Sequence, residues 1–295
     1  MSWSAVPCAA LGRDVHVPPV ELAGSMSESG VYRVHLDGSD VVAKVTAAGH
    51  EQANARRELA FYRTLADQVP VRTPTLLGHV DNDELTVLLL SAHTPAPPAR
   101  EWDLSTWLEV ARQLAALHSM PAPEGDLWVR TPWIRQVLDR PPRRAKDFWS
   151  RTAAADHIGD VFDAPAALAQ GICTLPETFV HGDCHADNLL HDGDDLLWTD
   201  WQGTGIGNPA GDLAFLWGRA HADNADPPRE AMIHAYATRR GIALDPLRRS
   251  LIASELSTLL YAWPDYAHYH PQDERDRLTQ RLIDLTRDWH DPNLG

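Results

Sequence analysis

Lysine is nearly absent from this chain. Of the 26 basic residues among 295, only Lys44 and Lys146 are lysines, and the others are arginines. Background composition therefore gives little reason to find a lysine inside an apolar segment. Lys44 lies in such a segment, between Val42 and Val45, and this placement indicates a specific role.

Long apolar runs and paired cysteines are lacking too. No run approaches the ~20 apolar residues of a membrane-spanning helix, and residues 1–10 have neither the basic start nor the apolar stretch of a signal peptide. The three cysteines are an odd number without metal-ligand spacing, as in proteins of reducing compartments. We therefore expect a cytoplasmic protein that has no membrane as a partner.

Positive charge is scarce relative to negative charge, and the 41 acidic residues leave a formal net charge of −15. Because basic surfaces bind phosphate backbones, this balance argues against nucleic acid as a partner. It favours a cationic small molecule, which an acidic protein attracts over long range. An acidic surface that serves only solubility explains the same charge equally well.

The chain is long enough for one or two domains, and its first third has the patterns of strands with one helix. Apolar-rich runs at 31–36 and 41–45 stand on either side of an Asp-Gly turn signal and predict a β-hairpin, with a connection longer than two residues. Residues 51–65 repeat apolar side chains at helical spacing, and the apolar run at 84–90 predicts a buried strand.

A proline-rich break at 91–98 follows and predicts a linker between two lobes. From 104 to 117 apolar residues recur at helical spacing, with Asp103 or Ser105 available as the N-cap. Further helices are predicted near 209–222, 228–240, 247–263 and 274–290. This order predicts an α+β fold with a small strand-rich lobe over residues 1–93, and a linker with a larger helical lobe over 94–295.

The most informative segment is His-Gly-Asp-Cys-His-Ala-Asp-Asn at 181–188, with Asp200 twelve residues after Asn188. Asp183 can orient a substrate hydroxyl and accept its proton, and Asn188 and Asp200 have the oxygen ligands that Mg²⁺ on a nucleotide prefers. Turn chemistry also favours Asp and Asn in loops. An acid, an amide and a second acid at this spacing, between strand-like runs, nevertheless indicate phosphoryl transfer.

The chain resembles the aminoglycoside phosphotransferase family, part of the protein-kinase-like superfamily. The resemblance rests on His181-Gly182-Asp183 with Asn188, on Asp200-Trp201, and on Gly-Ile-Gly-Asn-Pro-Ala-Gly-Asp-Leu-Ala at 205–214, with support from Lys44, Glu58 and the lobe order. It implies a bilobal protein-kinase-like fold with a nucleotide-binding first lobe. It also implies an enzyme that uses ATP or GTP with Mg²⁺ to phosphorylate an alcohol group of a small molecule.

The resemblance implies roles for single residues of the reaction centre. Asp183 is the catalytic base, and His181 and Asp212 organise the loop that carries it. Lys44 contacts the nucleotide phosphates with Glu58 as its ion-pair partner. Glu51 is the competing partner, and we prefer Glu58 because it falls within the apolar-periodic part of the helix.

The nucleotide contacts outside this centre carry weaker sequence signals. Ser27 stands in the segment 23–30, which has only two glycines. The small residues of this segment could let backbone N–H groups approach the phosphates of a nucleotide. A plain surface turn explains the same residues about as well. Ser91 and His93 are expected to offer backbone groups to adenine. Where the family has aspartate this chain has Asn208, which caps a helix equally well ahead of Pro209.

The substrate is the least determined part. Asp187, Trp201, Asp265 and Tyr266 are the proposed lining of a site for a polar, cationic ligand, through charge pairing and cation–π contact. The leading hypothesis is an O-phosphotransferase that inactivates a small cationic antibiotic such as an aminoglycoside. One alternative is a kinase of a metabolite such as choline, homoserine or a sugar. Another is a non-catalytic pseudokinase, against which the joint presence of Lys44, Asp183, Asn188 and Asp200 argues.

Overall fold

The structure is a computed structural model that describes residues 20–22, 29–36, 38–130, 137 and 142–291. Contacts divide these residues into two units. The first contains the described residues up to Ala96 together with Asp187–Thr204, and the second contains Pro97–Ala186 and the described residues from Gly205 onward. The division into lobes at residues 93 and 94 stays a prediction.

The described residues form strands and helices in the following order. The strands are β1 (Val20–Glu21), β2 (Gly30–Leu36), β3 (Ser39–Ala47), β4 (Leu76–Asp81), β5 (Leu85–Ser91), β6 (Thr94–Pro95), β7 (Thr178–Val180), β8 (Leu189–Asp192), β9 (Asp195–Trp198) and β10 (Gly205–Gly207). The helices are α1 (Gln52–Thr64), α2 (Leu104–Leu117), α3 (Arg143–Trp149), α4 (Gly159–Phe162), α5 (Pro165–Ile172), α6 (Pro209–Ala222), α7 (Arg229–Arg240), α8 (Leu244–Ser257), α9 (Trp263–Tyr266) and α10 (Gln272–His290).

An antiparallel sheet in the order β1-β2-β3-β5-β4 forms most of the first unit. The interior strand β3 pairs with β2 on one side and β5 on the other. Every residue from Leu85 to Leu90 of β5 is buried, so both faces of this strand are covered. A second sheet, in the order β6-β8-β9, belongs to the same unit. The sheet therefore places residue 44 of β3 in its interior rather than at an edge.

The predicted hairpin forms, but the prediction of a connection longer than two residues is wrong. Leu36 pairs with Ser39, so only residues 37 and 38 join β2 to β3. Asp37 itself lies outside the described residues, and Gly38 has a φ of +83°. The exposed Ser39 and Asp40 extend β3, because a strand with one solvated side accepts polar residues there, and an apolar pattern cannot reveal such an extension.

Helices of the first unit and of the linker region follow the sequence predictions. The helix predicted over 51–65 is α1, and its apolar face is buried. The helix predicted over 104–117 is α2, and Asp103 rather than Ser105 is its N-cap, since the Asp103 carboxylate accepts from the backbone N–H of Thr106 at 2.8 Å. The cap satisfies one of the free N–H groups of the first turn.

The later helices are confirmed except for the one predicted over 247–263. There α8 ends at Ser257, a π-helical turn occupies Thr258–Ala262, and the short α9 follows. Pro264 has no N–H and cannot continue the hydrogen bonding of the preceding turns, which accounts for the interruption. None of the helices in the described ranges is both long and apolar enough to cross a membrane.

Two arginines enclose a buried glutamate in the second unit. Glu255 of α8 is 3% exposed, and its carboxylate accepts from Arg229 at 2.8 and 2.6 Å and from Arg281 at 3.0 and 2.8 Å. Burial by itself would raise the pKa of Glu255, but the two guanidinium groups outweigh burial and lower this pKa to about 2. The ionised carboxylate therefore contributes to the stability of the helical unit.

We expect Glu255→Gln to destabilise the protein at neutral pH by on the order of 3 kcal/mol, and the loss to shrink in acid. A depressed folded pKa gives stability that is fully present above the unfolded value of 4.5 and is lost as pH falls towards 2. The difference in unfolding temperature between wild type and variant should therefore narrow between about pH 5 and pH 3. Glu230→Gln, which removes an exposed carboxylate paired with Arg248, is the control. A difference that stays constant with pH would contradict this account.

Candidate active site

Lys44 of β3 is 9% exposed and contacts two carboxylates within the first unit. Its Nζ donates to Glu58 Oε1 and Oε2 at 2.9 and 2.7 Å and to Asp200 Oδ1 at 2.9 Å. Glu58, on α1, is 1% exposed, whereas Glu51 accepts from the side chain of Asn54. The predicted Lys44–Glu58 ion pair is confirmed, and the competing pairing with Glu51 is not formed.

The charges of this cluster determine the protonation of the lysine. Burial by itself would lower the pKa of Lys44, but the carboxylates of Asp200 and Glu58 outweigh burial and raise that pKa above its ordinary value. Burial also raises the pKa of Glu58, with Asp200 adding to the rise and Lys44 opposing it. A protonated Lys44 donates two hydrogen bonds to Glu58, which favours the ionised form of this carboxylate. Two negative charges then face one positive charge.

The backbone around Asp200 is held on helix α1. Asp200 has φ and ψ of 63° and 61°, a left-handed conformation that few residues other than glycine adopt and that Asp tolerates. The ring of Trp201 stacks on Phe61 with centroids 4.0 Å apart and an interplanar angle of 11°. Arg57 donates to the carbonyl of Gln202 at 3.3 Å. The helix that supplies the glutamate thus also fixes the segment that follows β9.

Trp201 is a core residue, which corrects its assignment to the lining of a substrate site. The side chain is fully buried, and its Nε1 donates to the carbonyl of Trp198 at 2.9 Å. A cation–π contact needs an accessible ring face, and one face of this ring is covered by Phe61. The sequence could not show this, because the covering residue lies 140 positions earlier in the chain.

Asn188 and Asp200 flank the same end of the β8–β9 hairpin. Leu189 and Trp198 are its first and last paired residues, and beyond them the N–H of Thr199 donates to the carbonyl of Asn188 at 3.0 Å. Asn188 is 7% exposed. The hairpin therefore brings the amide and the carboxylate, separated by twelve positions, to one place in the first unit.

This pair of side chains fits a magnesium ion that is carried by a nucleotide. Mg²⁺ typically takes one or two protein carboxylates and completes its shell with water and phosphate oxygens. Within the described part of the chain, no group of three or more His, Cys, Asp and Glu side chains is arranged to hold a metal by itself. The carboxylate of Asp200 and the amide oxygen of Asn188 are such a small set of oxygen ligands, which leaves the other positions of Mg²⁺ to water and phosphate. The excess of negative charge around Lys44 also favours the binding of a cation.

In the second unit, three successive backbone amides fix the loop 181–183. The N–H groups of His181 and Gly182 donate to Oδ2 and Oδ1 of Asp212 at 2.8 and 2.9 Å, and the N–H of Asp183 donates to Nδ1 of His181 at 3.3 Å. Gly182 has a φ of +82°, which glycine adopts without steric cost. The predicted bonding of Asp212 back to this loop is confirmed.

Asp212, in the first turn of α6, is 3% exposed and remains ionised. Burial by itself would raise its pKa, but the hydrogen bonds from His118 and from the backbone N–H of Gly182 help to outweigh burial and lower this pKa. The Nε2 of His118 lies 3.1 Å from Oδ2 of Asp212. The role of His118 was not predictable from the sequence, because a histidine at the end of an amphipathic helix has no distinguishing spacing.

Asp183 itself is accessible, with 36% of its side chain exposed. The Nε2 of His185 lies 3.8 Å from Asp183 Oδ2, which is too long for a hydrogen bond but close enough for electrostatic interaction. The neighbouring Cys184 is fully buried, and burial, with Asp212 and Asp183 adding to it, raises the pKa of its thiol well above the ordinary value. A protonated, buried thiol is unreactive, so Cys184 is a core residue of this loop.

The predicted nucleotide contacts outside the cluster are placed as follows. Ser27 lies outside the described residues. Ser91 ends β5, and its backbone N–H already donates to the carbonyl of Thr75 at 2.9 Å, so this N–H is not available to a base. The Oγ of Ser91 lies 2.8 Å from Nε2 of His93, and both residues are half-buried. Contacts of Ser91 and His93 with adenine remain a prediction.

The remaining proposed substrate residues lie near the surface of their own units. Asp187 is exposed in the first unit. Asp265 and Tyr266 belong to α9 in the second unit, where Tyr266 is 50% exposed and Asp265 accepts from Arg144 at 2.6 Å. A ligand cation at Asp265 would compete with this arginine. The roles of these three residues remain predictions.

Asn208 caps α6, as its sequence position indicated. Its Oδ1 accepts from the N–H of Ala210 at 2.7 Å, which satisfies one free donor of the first turn. Its Nδ2 donates to the carbonyl of Ile172 and to the hydroxyl of Ser250. An aspartate cannot donate these two bonds, so the asparagine performs the capping and also connects α6 with two other helices of the second unit.

Comparison with known proteins identifies the relatives of this arrangement. The model of the phosphotransferase enzyme family matches residues 20–249, well over half of the chain. No curated protein sequence matches the chain.

Solved structures share the fold at low sequence identity. A choline/ethanolamine kinase family protein from Mesorhizobium loti is 18% identical over 99% of this chain and 93% of that chain, with a TM-score of 0.64. A microcompartment-associated aminopropanol kinase is 18% identical over 95% and 92%, with a TM-score of 0.65. An aminoglycoside phosphotransferase from Streptomyces rimosus, solved with ADP and streptomycin, is 22% identical over 91% and 92%, with a TM-score of 0.51.

These likenesses confirm the predicted α+β, protein-kinase-like fold, with its strand-rich and helical parts. The extent of the family match, which includes Lys44, Asp183, Asn188 and Asp200, decides the membership. The chain belongs to the phosphotransferase enzyme family, and it is a phosphotransferase of small molecules that uses an alcohol group as the acceptor.

Proposed function

We propose that the protein transfers the terminal phosphate of ATP or GTP, bound with Mg²⁺, to a hydroxyl of a small cationic compound. An antibiotic of the aminoglycoside type, inactivated by the transfer, is the leading candidate. The observation that carries the proposal is the buried contact of Lys44 with Glu58 and Asp200. An ion pair between a strand lysine and a helix glutamate, next to a metal-ligating aspartate, is the arrangement that positions nucleotide phosphates in kinases.

The residues of the two units have distinct parts in this proposal. Lys44, oriented by Glu58, binds the phosphates, and Asn188 and Asp200 hold the magnesium. When bound, magnesium supplies positive charge against the phosphate oxygens. Asp183 orients the acceptor hydroxyl and accepts its proton as the oxygen attacks phosphorus, and the amide bonds of its loop to Asp212 keep it in place.

The class of acceptor rests on charge and on the relatives. A net charge of −15 attracts cations over long range. Of the three similar structures, one holds streptomycin, one is an aminopropanol kinase, and one is a protein of the choline/ethanolamine kinase family. Streptomycin, aminopropanol, choline and ethanolamine are all alcohols that carry a positive nitrogen group, so a cationic alcohol is the acceptor that both observations support.

A second candidate is a kinase of a small amino alcohol or related metabolite. It is favoured by the higher TM-scores of the aminopropanol kinase and of the choline/ethanolamine kinase family protein, 0.65 and 0.64 against 0.51 for the aminoglycoside enzyme. Both candidates use the same chemistry and differ only in the acceptor.

A panel of acceptors tests the proposal. The purified protein is incubated with ATP or GTP and with aminoglycosides, choline, ethanolamine, aminopropanol, homoserine or neutral sugars, and ADP or GDP release is measured with mass spectrometry of the acceptor. We expect one aminoglycoside to be phosphorylated with kcat/KM of about 10⁴ M⁻¹ s⁻¹ or more, and the reaction to stop with chelator and resume with excess Mg²⁺. Phosphorylation of an amino alcohol alone would select the second candidate. Phosphorylation of neutral sugars alone would contradict a cationic acceptor.

A further inference from the structure

A chain of hydrogen bonds leads from the loop 181–183 into the helical unit, away from the reacting groups. It begins at Asp212, whose Oδ2 lies 3.1 Å from Nε2 of His118 at the end of α2. The other ring nitrogen of His118, Nδ1, lies 2.7 Å from the hydroxyl of Tyr236 on α7. Arg240, one turn later on the same helix, donates to that hydroxyl at 3.0 Å. His118 and Tyr236 are 1% and 0% exposed.

The chemistry of the two ends fixes the direction of every bond in this chain. An ionised Asp212 can only accept, so Nε2 of His118 carries the hydrogen that faces it. Arg240 can only donate, so the oxygen of Tyr236 accepts from it and its own hydrogen is available to Nδ1 of His118. Burial raises the pKa of Tyr236, although Arg240 opposes the rise, so the hydroxyl keeps its hydrogen. All groups are satisfied only with a neutral His118 in the Nε2–H tautomer.

We propose that Tyr236 is a positioning residue of the phosphoryl transfer. Its hydroxyl donates to Nδ1 of His118 and so holds the ring in the orientation in which Nε2–H donates to Asp212. Asp212, so held, keeps both of its oxygens on the amides of His181 and Gly182, and these amides set the place of Asp183. The inference rests on the proposed role of Asp183 as the base, but the arrangement of the loop can be measured without turnover.

The energetic argument depends on burial. Without the tyrosine hydroxyl, Nδ1 of the buried His118 has lost its donor, and an unsatisfied buried acceptor is costly. The ring is then held on one side only and can rotate, which weakens the hydrogen bond from Nε2 to the carboxylate of Asp212. A loop displaced by only ~1 Å can slow a reaction about 10²-fold.

The test compares Tyr236→Phe with Tyr261→Phe. Tyr261 is also a buried tyrosine of the second unit, 4% exposed, and its hydroxyl donates to the carbonyl of Phe162 at 2.8 Å. Each variant removes one buried hydroxyl and keeps the ring. Of these two tyrosines, only Tyr236 is hydrogen-bonded to the His118–Asp212 pair. A general loss of stability should therefore affect both variants, whereas a loss of loop positioning should affect Tyr236→Phe alone.

The first measurement is amide hydrogen exchange of His181 and Gly182, with ¹⁵N signals of the histidine rings. We expect exchange of these two amides to be about tenfold faster in Tyr236→Phe than in wild type, and the Nε2–H signal of His118 to shift because its hydrogen bond to Asp212 weakens. The Tyr261→Phe variant should keep the wild-type His118 signal and the wild-type exchange rates. Equal exchange in both variants, or an unchanged His118 signal in Tyr236→Phe, would overturn the proposal.

The second measurement is kinetic, with the acceptor that the panel identifies. Tyr236→Phe should lower kcat about tenfold to hundredfold with little change in KM for nucleotide or acceptor, because the loop acts in the transition state rather than in binding. Tyr261→Phe should retain wild-type kcat. If the wild-type protein phosphorylates no acceptor, the proposed function fails. The hydrogen-exchange measurement then tests by itself whether Tyr236 positions the loop. If kcat is equal in both variants, Tyr236 does not position the loop for catalysis.

Discussion

Lys44→Met will abolish phosphoryl transfer and also destabilise the protein. If Lys44 binds the nucleotide phosphates, as we propose, loss of its charge should lower kcat by about 10²–10³ or more. The same substitution leaves Glu58, with 2% of its side chain exposed, as an uncompensated charge in the interior. Removing one partner of a buried ion pair typically costs about 3–5 kcal/mol of the free energy of unfolding. Initial rates and urea unfolding measure the two effects.

Two further variants separate the electrostatic effect from the chemical one. Lys146→Met removes the other lysine of the chain, which pairs at the surface with Asp163, and should leave rate and stability nearly unchanged. The double variant Lys44→Met/Glu58→Met removes both buried charges, so stability should largely return while activity stays lost. A double variant as unstable as Lys44→Met alone would show that the charge left on Glu58 is not the cause.

Asp183→Asn is expected to lower kcat by about 10²–10⁴, or about 3–5 kcal/mol of barrier, with little change in KM. The amide side chain keeps the shape of the carboxylate but cannot accept the hydroxyl proton. Stability should be maintained, because the loop is fixed by backbone amides that bond to Asp212 and His181 rather than by the partly exposed carboxylate of Asp183.

The matched control is Asp194→Asn, which makes the same chemical change at an exposed residue of the turn between β8 and β9. Its rate and unfolding midpoint should equal those of wild type. A wild-type rate in Asp183→Asn would refute the assignment of the base. Such a rate would not bear on the proposed contacts of Lys44 with the nucleotide.

Local sequence patterns predicted those parts of the fold and the site that depend on neighbours in the chain. The periodicity of α1 places Ala55 and Leu59 in the core, and the position of Glu58 between them made it the preferred partner of Lys44. The short hairpin between Asn188 and Asp200 brings two proposed metal ligands together because its strands are adjacent in sequence. In such cases spacing alone determines proximity.

Features that depend on distant segments were not predictable in this way. Tyr236 follows its hydrogen-bond partner His118 by 118 positions, and no spacing rule connects them. For the same reason Trp201 was assigned to the lining of a substrate site, because the sequence does not show that Phe61 covers its ring. The strand β4 and the helices α3 to α5 were missed because β4 is half-exposed and the helices are short, so neither has enough apolar repeats to be distinguished from a loop.

The return of Asp187–Thr204 to the first unit has a consequence for synthesis on the ribosome. When the first 96 residues have emerged, β6 still lacks the strand β8 to which it pairs, and Phe61 lacks the indole that covers it. About a hundred residues of helical sequence must be translated before these partners appear. The nascent strand-rich segment therefore waits in an incomplete state, in which chaperones can bind its exposed apolar surface.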